Sequence, residues 1–105
     1  MDMSSIMQQA QVMQGKMAKI QEDLAKTVVT GTAGGGMVQA KVTGQGEIIS
    51  ITIEKQLISQ DEAELLQDLI TAAVNDGLRK ARETGKQAMG QLTHGMNIPG
   101  LSNLF

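Results

Sequence analysis

The chain has 105 residues, a formal net charge of −2 and no cysteine. This length allows one domain, and the lack of cysteine excludes disulfides, thiolate zinc sites and cysteine nucleophiles. Apolar residues make up 41% of the chain but include only one aromatic, Phe105, so the core has to be built from aliphatic side chains. No apolar run approaches the roughly 20 residues that span a bilayer, and no signal segment is recognisable. We therefore expect a cytoplasmic protein without membrane spans.

The first predicted element is a long helix over residues 3–24, with Ser4 or Ser5 as its cap. Its apolar residues recur at alternating spacings of three and four, which is a heptad pattern, and they are Met3, Ile6, Ala10, Met13, Met17, Ile20 and Leu24. The helix is longer than the small sheet predicted for the rest of the chain, so part of it projects or pairs with another helix. The pattern favours a seam that packs within a dimer or core, formed by Met13, Met17, Ile20 and Leu24. The alternative is an adaptable methionine-rich surface that binds varied partners.

Three short strands are predicted next. The first covers residues 27–32 and is rich in β-branched residues, and the glycines at 34–36 supply a turn. Apolar and polar residues alternate in the second strand, with one face formed by Val38, Ala40 and Val42, and again in the third, with one face formed by Ile49, Ile51 and Ile53. A hairpin turn at residues 44–46 joins them. The prediction is an antiparallel meander with one wet face.

The glycine cluster at residues 34–36 also invites a phosphate-loop interpretation. Such loops precede a helix and carry a Gly-Lys-Ser/Thr sequence. Here a strand follows and that sequence is missing, which favours a structural turn.

A second long helix is predicted to start at Ser59–Glu62, which has the capping-box spacing. Its apolar residues change from leucine near Leu65 to alanine and glycine near Ala81, so its first half is expected to pack on the sheet and its second half to project. The Gly, Asn and Pro content from Thr93 onward predicts the end of regular structure. The chain thus divides into one α+β domain at residues 1–92 and a flexible tail at residues 93–105.

Charge is segregated along this second helix. Between Asp61 and Asp76 the sequence has five acidic residues and no basic one. The basic residues that follow are opposed only by Glu83 and are Arg79, Lys80, Arg82 and Lys86. The net acidity argues against a nucleic-acid partner, whereas the local basic cluster favours one.

The order of elements and three sequence segments resemble the YbaB/EbfC family. Val28–Val42 reads VVTGTAGGGMVQAKV, Glu64–Ala73 reads ELLQDLITAA, and the tail contains the sequence Ile98-Pro-Gly-Leu101. The resemblance covers almost the whole chain. It implies a bacterial, nucleoid-associated protein that binds double-stranded DNA as a homodimer, or as a higher oligomer. In the implied dimer the sheets join into one platform from which the long helices project like tweezers.

The resemblance attributes DNA contacts to the projecting helices, which correspond to residues 8–26 and 75–86. The candidate contacts are polar or basic residues on one face of each helix, namely Lys16, Lys19, Lys26, Asn75, Arg79, Arg82 and Lys86. Rows of this kind contact phosphates and position a duplex without reading its bases, which predicts low sequence specificity. The alternative is an ordinary solvated face on each helix, with Arg79 paired to Glu83 four residues on.

No arrangement that would support catalysis is recognisable. His94 has no carboxylate or cysteine cluster near it, and the acidic residues at 61–64 suit the start of a helix. The scarcity of aromatic residues argues against stacking on single strands or RNA. We therefore expect no enzymatic activity, metal, cofactor or small-molecule substrate. The rival hypothesis is an acidic, dimeric protein-interaction module that associates with DNA only indirectly.

Overall fold

The computed structural model describes residues 2–96, and their side chains as far as residue 92. Its elements confirm the predicted α+β class, with a helix, a three-stranded sheet and a long helix in that order. They are α1 (Met3–Lys26), β1 (Val28–Ala33), β2 (Val38–Thr43), β3 (Ile48–Ile53), two short 3-10 turns (Lys55–Leu57 and Gln60–Glu62) and α2 (Ala63–Met96). Among the described residues, no helix is both long and apolar enough to cross a membrane.

The N-cap of helix α1 lies two residues before the first of the two serines predicted to cap it. Asp2 is the N-cap: its carboxylate accepts hydrogen bonds from the backbone N–H of Ser4 at 3.4 Å and from the Ser4 hydroxyl at 2.7 Å. The predicted serine cap is therefore wrong, because Ser4 donates to the cap residue instead of accepting from the helix. The carboxylate satisfies one of the free amides in the first turn.

The sheet is an antiparallel meander in the order β1-β2-β3. On the side facing α2, the β2 side chains are completely buried, and they are Val38, Ala40 and Val42. The other side carries polar residues such as Gln39 and Lys41, which are exposed. The predicted meander with one wet face is confirmed.

The third strand departs from the predicted alternation. Lys41 pairs with Ser50, but the next residue, Val42, pairs with Ile48, so Ile49 is an extra residue in a bulge. Such an insertion shifts every side chain beyond it relative to the neighbouring strand. The residues opposite the buried β2 row are therefore Ile48, Ile51 and Ile53, and the predicted place of Ile49 in that row is wrong.

Two glycines allow α2 to lie directly against the sheet. A Cβ at Gly31 in β1 would overlap the Ala73 carbonyl and the Gly77 backbone, and a Cβ at Gly77 would lie 2.7 Å from Cγ2 of Val42. Helix and strand backbones are thus in contact at this point. The helix covers β1 and β2 but leaves β3 partly uncovered. Ile48 and Ile51 on β3 are 44% and 40% exposed, whereas the β2 residues paired with them are 0% exposed.

Both ends of α2 differ from the sequence prediction. Ser59 precedes a 3-10 turn and makes no side-chain capping bond, so the predicted capping box is not formed and α2 starts only at Ala63. The helix then runs to Met96, beyond the predicted end of regular structure at Thr93. Residues 97–105 lie outside the described part of the chain, and so does most of the predicted tail.

Candidate nucleic-acid interface

Beyond the sheet, α1 and the second half of α2 lie side by side and form an arm. They meet where α1 presents Ile20 and Leu24 and α2 presents small residues such as Ala81 and Ala88. One groove runs along each side of α1 at this contact. The two grooves have volumes of about 550 Å³ and about 380 Å³.

The larger groove holds the two lysines predicted on α1. Lys16 and Lys19 line it together with Asp23, and residues from α2 form its opposite wall, namely Thr84, Ala88, Gln91 and Leu92. Both lysines are exposed. Among the described residues neither lysine forms an ion pair, so both ammonium groups are available to an anion.

The smaller groove holds two of the basic residues predicted on α2. Arg82 and Lys86 line it, with Gln21 and Gln45 on the other side. Gln45 donates to the Gln21 carbonyl at 3.0 Å, which ties the turn between β2 and β3 to α1. Arg82 and Lys86 are exposed, and within residues 2–92 neither forms an ion pair.

Arg79 has a different environment from Arg82 and Lys86, although all three share one side of α2. Its guanidinium donates to the Asp76 carboxylate at 2.7 Å and to the Glu83 carboxylate at 3.0 Å. The pairing of Arg79 with Glu83 that the spacing allowed is therefore present, and Asp76 adds a second one. Arg79 is held by two carboxylates that a phosphate would have to displace.

Asp76 is the centre of this network. One carboxylate oxygen receives the Arg79 bond, and the other accepts the backbone N–H of Thr32 at 3.0 Å and pairs with Lys80 at 3.1 Å. The Thr32 amide first, and then Arg79 and Lys80, hold the pKa of Asp76 well below its ordinary value. Asp76 is consequently ionised throughout the physiological range.

The remaining predicted contacts lie apart from the grooves. Lys26 pairs with Glu22 at 3.5 Å, and both side chains are largely exposed, so this pair is weak. Asn75 is exposed on α2, next to Asp76. The structure thus places Lys16 and Lys19 in one groove of the arm and Arg82 and Lys86 in the other. It leaves Lys26, Asn75 and Arg79 outside both grooves.

The predicted seam on α1 divides in a similar way. Leu24 is buried within the chain itself, where its carbonyl accepts the Gly44 N–H at 2.9 Å. Met13 and Ile20 are half-buried, and Met17 is 37% exposed. Further along the helix the apolar side chains Met3, Ile6 and Met7 are exposed.

Sequence reasoning missed the grooves and the role of Asp76. The grooves depend on how α1 crosses α2, which no spacing within one helix specifies. Asp76 did have a signal, because it stands three residues before Arg79 and four before Lys80, and both spacings bring side chains together on a helix. Among the described residues, no group of histidine or carboxylate side chains could hold a metal ion.

The sequence that forms the arm and the sheet matches a known protein family. A sequence profile described as the YbaB/EbfC DNA-binding family matches residues 1–96. The chain belongs to the YbaB/EbfC DNA-binding family. This confirms the resemblance inferred from the sequence segments, and bacterial relatives in the family carry the name nucleoid-associated protein.

Two of these YbaB/EbfC relatives cover most of the chain. One, from Desulfotalea psychrophila, is 66% identical over 105 residues, which is 100% of this chain and 99% of the relative. Another, from Syntrophobacter fumaroxidans, is 50% identical over 95 residues, covering 90% of this chain and 86% of the relative. Both are named nucleoid-associated proteins.

The fold is similar to that of a crystal structure of an uncharacterized protein from Helicobacter pylori. The two share 27% sequence identity with a TM-score of 0.79, and the match covers 88% of this chain and 97% of that one. The helix, three-stranded sheet and long helix are therefore the fold of an experimentally determined structure as well.

Proposed function

We propose that this YbaB/EbfC protein binds double-stranded DNA as a homodimer, mainly through the sugar-phosphate backbone and with low sequence specificity. In this role it acts at the nucleoid, in chromosome organisation or gene regulation. The observation that carries the proposal is the set of basic side chains around the arm that have no acidic partner within residues 2–92, namely Lys16, Lys19, Arg82 and Lys86.

The distribution of charge supports a DNA contact at the arm in spite of the net charge of −2. Three acidic residues of α2 lie in its first half, which packs on the sheet, namely Glu64, Asp68 and Asp76. The second half, beside α1, carries Arg82 and Lys86 and one acidic residue, Glu83, which is paired with Arg79. Salt largely screens the interaction between exposed charges that are more than about 8 Å apart at physiological ionic strength. A phosphate at the arm therefore interacts mostly with the local basic residues.

The side chains that could read bases are either already bonded to neighbours or not held in one orientation, which supports low sequence specificity. Arg is the commonest reader of guanine edges, but Arg79 is bound to Asp76 and Glu83. The glutamines Gln8 and Gln9 are exposed near the start of α1, where nothing fixes their orientation in the described chain. Contacts to phosphates position a duplex without discriminating sequences.

The homodimer is supported by apolar surface that the single chain leaves uncovered. Ile48 and Ile51 on β3, Ile58 after it and Leu65 at the start of α2 are 40–63% exposed. A second set lies on α1, where Met3, Ile6 and Met7 are exposed. A second copy that packs on these side chains would remove them from water, which is the main favourable contribution to most protein association.

The proposal can be tested with purified protein and labelled duplexes. At ~150 mM salt the protein should retard a duplex of arbitrary sequence, because non-specific binding rests on phosphate contacts. An unlabelled duplex of unrelated sequence, at about tenfold excess, should compete as well as the same sequence does. If no duplex is retarded even at ~50 mM salt, where phosphate contacts are strongest, the chain does not bind DNA in this way.

The second candidate function is an acidic, dimeric protein-interaction module. The exposed side chains at the start of α1, among them Met7 at 59% and Val12 at 54%, favour it. In that case the protein would associate with the nucleoid through another protein, and purified protein alone would fail to retard DNA.

A further inference from the structure

The two edges of the three-stranded sheet differ in their hydrogen bonding. Strands β1 and β3 both lie at an edge, because β2 is between them. In an edge strand, alternate residues direct both backbone N–H and C=O away from the sheet. On β1 the residues with this outward orientation include Thr30 and Thr32.

One outward backbone group of each threonine is bonded to a side chain of α2. The Asp76 carboxylate accepts the N–H of Thr32 at 3.0 Å, and the Lys80 ammonium donates to the C=O of Thr30 at 3.0 Å. The two side chains also pair with each other at 3.1 Å. We call Asp76 and Lys80 the edge clamp.

The clamp depends on the close approach of α2 to β1. Gly31 lies between the two clamped threonines, and its backbone touches the helix at Ala73 and Gly77. Asp76 and Lys80 are one helical turn apart, so their side chains leave the same side of α2 and reach the strand two residues apart. Arg79 binds the second oxygen of Asp76 and holds the carboxylate in place.

Strand β3 has no equivalent. Within the described chain, no side chain forms a hydrogen bond with the backbone of residues 48–53. Its helix-facing side chains are also the partly bare isoleucines of the sheet. An approaching copy thus finds free backbone groups and apolar surface on the β3 side, and on the β1 side it finds a backbone already bonded to charged side chains.

We infer that the edge clamp closes β1 to strand addition, so that copies of this chain can associate through their sheets only on the β3 side. A sheet with two open edges can add copies without limit, whereas a sheet with one open side closes after two. A strand from a further copy that paired with β1 would have to displace the side chains of Asp76 and Lys80 from the β1 backbone. Both charges would then lose their partners. This inference does not depend on DNA binding.

The test removes the clamp and measures the mass in solution. The variant carries Asp76→Ala and Lys80→Ala, and its control carries Glu22→Ala and Lys26→Ala, which removes another acid and base spaced by four on an exposed helix face. Wild type and control should keep one mass across the concentration range of a sedimentation experiment. The clamp variant should form larger species as concentration rises, with a mean mass at ~200 µM at least about 1.5 times that of wild type.

A second variant keeps the test decisive if the double substitution prevents folding. Lys80→Met retains the apolar stem but removes the donor to the Thr30 carbonyl. It should also form larger species as concentration rises, but to a smaller extent than the double variant. Hydrogen exchange reports the state of the edge, because the Thr32 amide should be protected in wild type and exchange faster once Asp76 is replaced. If that amide exchanges fast while the folded variants keep the wild-type mass at every concentration, the inference is wrong.

Discussion

Gly77 and Gly85 stand two turns apart on the same helix under opposite constraints. A Cβ at Gly77 would lie 2.7 Å from the Val42 side chain, while a Cβ at Gly85 would meet nothing within 4 Å. Glycine within a helix is less stable than alanine by about 0.5–1 kcal/mol, because it loses more backbone entropy on folding. Packing therefore explains the glycine at 77, and nothing within the single chain explains the one at 85.

This contrast predicts opposite effects of one substitution. Gly85→Ala should raise the free energy of unfolding by about 0.5–1 kcal/mol. Gly77→Ala has the same advantage in backbone entropy, but its methyl group would crowd the completely buried side chain of Val42. Overpacking of this kind costs about 1–3 kcal/mol, so this variant should be less stable than wild type. Urea unfolding at one fixed protein concentration measures both. Equal stabilisation by the two variants would show that α2 does not pack on β2 as described.

Asp76 predicts a dependence of stability on pH. Its pKa in the folded chain is below the ordinary value because the Thr32 amide, Arg79 and Lys80 stabilise its charge. A lowered folded pKa adds stability that is complete above the unfolded pKa of about 3.9 and is lost as pH falls through the folded pKa. The stability difference between wild type and Asp76→Asn should therefore be positive at pH 7 and shrink as pH falls below about 5.

The control for this prediction is Asp68→Asn on the same helix. Asp68 is exposed, and among the described residues it forms no ion pair. The difference in unfolding free energy between wild type and Asp68→Asn should stay small from pH 7 to pH 3. A difference for Asp76→Asn that remains constant from pH 7 to pH 3 would show that the carboxylate is not tied to its neighbours in solution.

For the helices and strands, the sequence predicted the features that depend on periodicity, and it missed those that depend on contact between elements. Heptad spacing identified α1, and alternation identified β2, because each pattern is a direct result of burying one face. The bulge at Ile49 was missed, since the run of isoleucines fits either register until β2 is placed beside it. The capping box at Ser59 was wrong because the chain makes a 3-10 turn first.

The candidate site shows the same division. The basic residues on α2 were predictable from their spacing, but which of them are free was not. Arg79 and Arg82 are three residues apart, and only the former has acidic side chains on both neighbouring turns. The grooves depend on the crossing of two helices and have no counterpart in either helix alone.

The arm predicts a specific change in salt dependence. If Arg82 and Lys86 contact phosphates in both copies of a dimer, replacing both by alanine removes four contacts. The slope of log affinity against log salt is roughly −0.9 per phosphate neutralised on duplex DNA, so the slope should flatten by up to about 3.6. The loss of affinity should be similar for all duplex sequences.

The matched control replaces Lys41 and Lys55 by alanine. These lysines are exposed on the polar face of the sheet and on the turn after β3, away from the arm, and their loss changes the net charge by the same amount. The control should leave the slope nearly unchanged. An equal flattening by both variants would indicate that only the total charge matters, which would remove the arm as the site of contact.

The chain is elongated, and two kinds of surface lie at different places along its long axis. The chain measures 69 × 22 × 16 Å, with the basic grooves along the arm and the bare isoleucines at the sheet. A dimer that covers the sheet surface would leave the arms of both copies free. Assembly and DNA contact then use different parts of the chain, so each can be disrupted without the other.

The partly exposed face of β3 is where we expect two copies to meet. Sedimentation of wild type at micromolar concentration should give twice the 11.2 kDa chain mass. Ile51→Asp would bury an unpaired charge in the interface, which costs several kcal/mol and should weaken the dimer by at least about 100-fold. Val28→Asp is the control, because Val28 is 51% exposed and sits on the opposite face of the sheet, so this variant should remain dimeric. A monomeric wild type would refute the dimer itself. If Ile51→Asp stays dimeric and Ile20→Asp dissociates, the copies meet along the α1 seam.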